Sequence, residues 1–184
     1  MRGFDAAYSF GSYDGVVREL IHLYKYARIR TLVRPLGNLI YRAMPLDERF
    51  DAIVPVPMHW MRRWRRGFNQ SDLLARTLAR RTGLPVVKAL SRSRATRAQA
   101  GLSHRARRAN VSRAFRARPV EGKRILLIDD VMTTGSTAAA CALALKKAGA
   151  ARVTLLTVAR ADRRIPGPVM IPSDSRGESS EHAE

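Results

Sequence analysis

Residues 125–137 read Ile-Leu-Leu-Ile-Asp-Asp-Val-Met-Thr-Thr-Gly-Ser-Thr. An apolar run delivers two adjacent carboxylates, Asp129 and Asp130, to the carboxyl end of a strand. In open α/β sheets, ligands bind outside those ends. A loop of Thr133, Thr134, Gly135, Ser136 and Thr137 then leads at once into a helix. The first N–H groups of a helix lack intrahelical partners and carry partial positive charge. Hydroxyl donors, and a glycine that lets the backbone approach closely, make the loop a cradle for a phosphate monoester. It is not a Walker A loop, because the Gly-Lys-Ser/Thr ending is missing. The two acids would repel a phosphate, so they face another part of the ligand. Carboxylates accept hydrogen bonds from vicinal hydroxyls. A phosphate cradle beside a diol-binding pair points to a ribose 5-phosphate. An acid pair of this kind also occurs in receiver domains, but early, with a phosphorylatable Asp well downstream. Here only 54 residues follow Asp130. Two acids that merely cap a helix would leave the composition of the loop unexplained.

The elements that must position these groups follow from hydrophobic periodicity. Residues 4–12 read as a short strand and turn. Helical spacing starts at Val16, and a second helix is expected over 32–44 with Leu32, Leu36, Leu39 and Ile40 on one face. Pro35 suits its first turn, where a missing N–H costs little. Strands are expected at 51–56, briefly at 84–90, at 124–129 and at 152–159. Helices are expected at 71–82, stopped by Gly83, and at 136–148, stopped by Gly149. Residues 91–118 show no clear period. Alternation of strands and helices of about 12 residues implies a parallel sheet, an α/β fold. The two N-terminal helices precede it and are expected as a cap or side layer. After Arg164, three prolines and a run of Ser, Glu and Gly read as a disordered tail.

The charge is lopsided. Thirty-four Lys and Arg against fifteen acids give +19. Residues 165–184 hold one Arg and four acids, so the first 164 residues carry +22. Such a body attracts phosphorylated ligands and polyanions. Twenty-nine of the bases are Arg and five are Lys (25, 88, 123, 146, 147). A compositional bias explains the preference for Arg, but not the excess over acids. The single Cys141 excludes a disulfide framework and a Cys-rich zinc site. His22, His59, His104 and His182 form no spaced ligand set. No run approaches the ~18 apolar residues of a spanning helix, and no export signal follows Arg2. A cytoplasmic protein without a membrane span is expected.

Further constellations flank the acid pair. Pro55-Val56-Pro57 follows the second expected strand, and Arg66-Gly67-Phe68-Asn69-Gln70 opens the next helix. Then come Arg94, Thr96, Gln99, Leu102, Arg107 and Asn110, in a stretch from Lys88 to Arg118 with ten bases and no acid. A long aperiodic segment between core strands is functional or disordered, and its arginines suit bidentate contacts to phosphate oxygens. Residues 60–66 interleave Trp60 and Trp64 with arginines, the composition of a small single-strand stacking surface.

The run at 125–137 resembles the phosphoribosyl pyrophosphate (PRPP) signature of type I phosphoribosyltransferases at every position. With Pro-Val-Pro, Arg-Gly-Phe-Asn-Gln and the later Arg, Gln and Asn in this order, residues 8–160 resemble the competence protein F (ComF) family. Tyr13, Gly15 and Leu23-Tyr24-Lys25-Tyr26 are also similar to its N-terminal region. The resemblance implies a three-layer parallel sheet of the type I kind over residues 1–164. A helical hood is expected over about 1–48 and the core over about 49–164. It implies that Asp129 and Asp130 hold the ribose and residues 133–137 hold the 5-phosphate. Pro55, Val56 and Pro57 would form the pyrophosphate loop. Arg66, Gly67, Asn69, Gln70, Arg94, Gln99, Arg107 and Asn110 would form supporting or flexible loops. Mg²⁺ would arrive through PRPP, since it prefers few protein ligands. The implied chemistry is phosphoribosyl transfer to an unknown acceptor, linked to competence and DNA uptake. The alternative is a non-catalytic factor that binds single-stranded DNA and competence-machinery proteins while keeping the fold. No residue stands out as a general base. Many members of that family begin with a Cys-rich zinc ribbon. None is present here, so the start is expected to be truncated or naturally short.

Overall fold

In the computed structural model, residues 3–26, 29–58, 67–92 and 114–161 are described. In chain order they form β1 (Ala6–Ser12), α1 (Gly15–Tyr26), a 3-10 turn (Arg30–Leu32), α2 (Val33–Arg42), β2 (Ala52–Pro55) and α3 (Gln70–Thr82). There follow β3 (Leu90–Arg92), β4 (Phe115–Ala117), β5 (Arg124–Met132), α4 (Ser136–Lys147) and β6 (Arg152–Arg160). Four strands make one parallel sheet in the order β1-β6-β5-β2. Val86 adds one further parallel rung beyond β2. There the Ile53 N–H donates to Pro85 O and the Val87 N–H donates to Ile53 O, each at 2.9 Å.

Alternation along β5 builds two cores. Ile125 and Leu127 pack with Cys141 and Leu145 of α4 on one face. Leu126 and Ile128 pack with Leu36 and Ile40 of α2 and Leu74 and Leu78 of α3 on the other. All of these side chains are fully buried or nearly so, each stabilising by roughly 1.5–3 kcal/mol. The result is a three-layer α/β fold, as expected from a continuous apolar run in a sheet covered on both faces. Where α2 meets α3, a Cβ on Gly37 would lie 2.5 Å from Thr77 Cγ2, so this close approach needs glycine.

The helices fall close to expectation, with Pro35 in the first turn of α2 and Gly83 at φ 73° ending α3. Three details differ. The strand at 6–12 is an edge strand of the main sheet, paired with β6, so of the N-terminal segment only α1 and α2 join the side layer, beside α3. In place of a strand over 84–90 there is the rung at Val86 and the antiparallel pair β3–β4. Three-residue strands are too short to show a period; Leu90 and Phe115 of that pair are buried in the core and Ala117 packs against it. β5 runs three residues past Asp129, because β6 continues to Arg160 and pairs with Met132. The expected tail over 165–184 lies outside the described residues.

Candidate functional site

The sheet reverses direction between β2 and β5. From β2 the chain passes through α3 and moves outward to Val86. From β5 it passes through α4 and moves the other way to β6. The two helices lie on opposite faces. Ligands bind at such switch points. Here β2 ends opposite Ile128 while β5 continues beside β6 to Met132. Asp129 and Asp130 therefore sit in β5 just past the point where its β2 neighbour stops.

On the α4 side, residues 133–137 form the expected strand–loop–helix turn. Gly135 precedes the helix at φ 72°, a left-handed conformation that glycine adopts without strain. No side chain caps the helix. The Thr134 and Ser136 hydroxyls bond each other at 2.9 Å, and the Thr134 hydroxyl also accepts from the Ser136 N–H at a long 3.4 Å. A small cavity of 60 Å³ lies here, lined by residues 133–137 together with Asp129 and Thr157. The open amides and hydroxyls can receive an anion.

On the α3 side the helix start is closed. Asn69 caps it, its side-chain oxygen accepting from the Ser71 N–H at 3.2 Å. The same amide donates from Nδ2 to Val56 O at 3.1 Å. The Val56 N–H donates to Ile128 O at 2.9 Å. Both backbone groups of Val56 are thus engaged, and Pro55 and Pro57 have no N–H. The Pro-Val-Pro segment supplies wall to the cleft, and its backbone has no free N–H for a pyrophosphate. Gly67 lies at φ 78°. Phe68 packs against Tyr24 with ring centroids 5.5 Å apart. Gln70 is fully buried, and its carbonyl accepts from Tyr24 OH at 3.1 Å.

Between these two sides lies a cleft of 190 Å³. Its lining includes Lys25, Val56, Pro57, Asn69, Ser71, Arg92, Asp129, Asp130 and Thr137. It shares Asp129 and Thr137 with the α4 cavity. It shares Pro57, Met58 and Asn69 with a larger cleft of 310 Å³, which Arg30 and Lys88 also line. Asp129 Oδ1 accepts from Ser71 Oγ at 2.9 Å and from the Asp130 N–H at 3.0 Å. Burial, and then the neighbouring Asp130 charge, push the Asp129 carboxyl up to about 7 against the pull of Ser71 and Lys25. Lys25 Nζ lies 3.0 Å from Asp130 Oδ1. Burial raises the Cys141 thiol well above its ordinary range.

The structure thus gathers Asp129, Asp130, Thr137, Val56, Pro57 and Asn69 around one cleft. Thr133, Thr134, Gly135 and Ser136 line the adjoining cavity, and Pro55 and Gly67 the larger cleft. Gln70 lines none of the three. Arg66, Arg94, Gln99, Arg107 and Asn110 lie outside the described residues, as do Trp60 and Trp64. Sequence reasoning missed Lys25, Ser71 and Arg92 as lining residues. Lys25 carries a signal in the sequence, its place in the Leu23-Tyr24-Lys25-Tyr26 stretch at the last turn of an amphipathic helix, but that signal assigns it no role. Among the described residues there is no group of three or more His, Cys, Asp or Glu side chains placed to hold a metal. Two carboxylates and a hydroxyl are hard oxygen groups compatible with Mg²⁺, but too few for an all-protein cage. They fit an ion carried in by a phosphorylated ligand. No helix among the described residues is long and apolar enough to cross a membrane.

Sheet, switch point and acid–hydroxyl loop define the type I phosphoribosyltransferase class. The family model described as the phosphoribosyl transferase domain matches residues 65–175. The DNA utilization protein YhgH of Salmonella typhi is 38% identical over 160 residues, 83% of this chain and 70% of that protein. Competence protein F of Haemophilus influenzae is 35% identical over 162 residues, 82% of this chain and 71% of that protein. Among solved structures, glutamine PRPP amidotransferase from B. subtilis, complexed with ADP and GMP, superposes with a TM-score of 0.49. It shows 25% identity over 68% of this chain and 26% of that chain. The chain belongs to the phosphoribosyltransferase-fold family of competence protein F.

Proposed function

We propose that this protein binds PRPP in the cytoplasm and transfers its phosphoribosyl group to an acceptor. The observation that carries this reading is the pairing of Asp129 and Asp130 with the uncapped α4 start, which share the walls of one cleft. The carboxylates accept hydrogen bonds from the ribose hydroxyls. Residues 133–137 hold the 5-phosphate. Val56 and Pro57 wall the diphosphate end, and Arg94 and Arg107, outside the described residues, are candidates to meet its charge. Mg²⁺, bound through the ligand's own oxygens, would offset charge on the diphosphate. In the transfer, the bond from C1 of the ribose to the diphosphate oxygen breaks. A bond from C1 to the acceptor forms, and diphosphate departs with the electron pair. Charge developing on that leaving group is where positioned cations act.

Thermal unfolding with PRPP and Mg²⁺ tests the reading. Ligand at ~100 times its dissociation constant adds about 2.7 kcal/mol, a rise of roughly 5–10 °C for this size. The rise is expected in wild type and absent in Asp129→Asn/Asp130→Asn. No rise in folded wild type would sink the reading.

A second reading has its own support. The first 164 residues carry +22, and relatives are named for DNA utilization and competence. A role in DNA uptake, with contact to single-stranded DNA and competence-machinery proteins, fits both. Single-strand affinity should then fall with salt at a log slope of about −0.7 per neutralised phosphate. A flat response counts against it.

A further inference from the structure

We infer that Lys25, on the N-terminal helix α1, is a positioning residue of this cleft: it holds Asp130 in place and lends its charge to the anionic ligand. The inference rests on the PRPP reading above.

Four observations carry it. Lys25 Nζ sits 3.0 Å from Asp130 Oδ1, and the two side chains are only 16% and 11% exposed. A pair this sheltered has lost most of its water, so each charge depends on the other. Second, Lys25 reaches there by construction. Its neighbour Tyr24 is fully buried and fastens the end of α1 to the start of α3, through Gln70 O and the Phe68 ring. Third, Lys25 and Arg92 are the cations among the described residues lining the cleft, and Arg92 leans over the Phe115 ring at 5.3 Å. Fourth, an ammonium has three N–H donors, and the pair with Asp130 engages one acceptor oxygen. An ammonium so placed can donate to an anion as well as to the acid pair.

The charged and titratable groups facing this spot come from five elements. They are Asp129 and Asp130 of β5, Lys25 and the Tyr24 phenol of α1, Asp72 of α3, Arg92 of β3 and the Cys141 thiol of α4. Two adjacent carboxylates oppose each other's ionisation, and a nearby cation favours it. Lys25 therefore opposes the push that burial and Asp130 exert on the Asp129 carboxyl, and so favours the ionised form that accepts strongly from ribose hydroxyls. Without it, the Asp129 carboxyl ionises only at higher pH.

The test is PRPP affinity, with Mg²⁺, measured by calorimetry from pH 5.5 to 9 for wild type, Lys25→Met and Lys25→Arg. Lys25→Met should bind about tenfold more weakly at neutral pH, the scale of one charge-assisted hydrogen bond. Its affinity-against-pH curve should move up by about one unit. Lys25→Arg restores the charge and should return the curve toward wild type. Equal affinity and an unmoved curve in folded Lys25→Met overturn the inference and leave the PRPP reading standing. Absence of binding in wild type overturns the PRPP reading, and the inference with it. If Lys25→Met does not fold, amine labelling of wild type decides. PRPP should protect Lys25 about tenfold, while Lys123, Lys146 and Lys147, at the other end of the sheet, label as before. Equal labelling of Lys25 with and without ligand overturns the inference.

Discussion

Two helices begin at the switch point of the sheet, and their first turns are built in opposite ways. The start of α3 is closed: Asn69 caps its own helix and also holds Val56, so the turn fixes the wall of the cleft. The start of α4 is more open: Gly135 enters at φ 72° and its N-cap position makes no side-chain bond, while the Thr134 hydroxyl engages the Ser136 hydroxyl and, weakly at 3.4 Å, the Ser136 N–H. A helix start left unsatisfied costs stability unless water or a ligand serves it. The contrast separates a turn that builds the protein from a turn kept available for an anion. Substitutions at the first should act on stability and leave binding nearly alone, whereas every substitution at the second should weaken binding, whatever it does to stability.

Asp129 gives the largest expected effect on the contrast. Its carboxyl titrates at about 7 in the fold against an ordinary 3.8. Between those values the folded state holds the proton more tightly than the unfolded state. The stability contributed by the neutral acid is thus full below about pH 4 and is lost as pH rises through 7. Tm of the free protein should fall between pH 5 and pH 8, with a change on the order of a few kcal/mol. Asp129→Asn should flatten that slope. Next comes Gly135→Ala. A side chain in the left-handed region costs about 1–2 kcal/mol, or several degrees of Tm, and the PRPP-induced rise should shrink as well. Asn69→Ala breaks the closed turn. Losing the cap costs about 1 kcal/mol, roughly 2–4 °C for a chain of this size, read in a melt without ligand. The smallest change in stability belongs to Thr134→Val. Thr134 is exposed, so the free protein should melt within about 0.5 kcal/mol of wild type. Affinity for ribose 5-phosphate should still fall by about two- to tenfold, the worth of one hydrogen bond. A drop in stability without loss of affinity would invert the roles assigned to the two turns.

The open turn was legible in the sequence because all of its parts are contiguous. An apolar strand, two acids, hydroxyls, a glycine and a helix follow one another within thirteen residues, and each carries its own physical signal. From sequence, the closed turn reads as a supporting or flexible loop at a helix start. Most of what Gly67, Phe68, Asn69 and Gln70 do is turn, pack and cap. Nothing in residue type alone distinguishes an asparagine that caps a helix from one that binds a ligand. The pairing of β1 with β6 joins segments some 148 residues apart, for example Ala6 with Thr154. A lone short strand gives no hint of its partner. The role of Lys25, though its stretch is part of the family resemblance, is hidden for the same reason: its partner Asp130 is more than a hundred residues away, brought close only when α1 packs on α3.

The most direct test of the contrast is an amide chemical-shift titration with ribose 5-phosphate, which carries the phosphate and the diol but no diphosphate. The N–H signals of Gly135, Ser136 and Thr137 should move together and saturate, while those of Ser71 and Asp72 at the start of α3 stay near their free positions. Movement confined to the α3 amides, with 135–137 unchanged, would contradict the assignment of the open turn as the phosphate cradle.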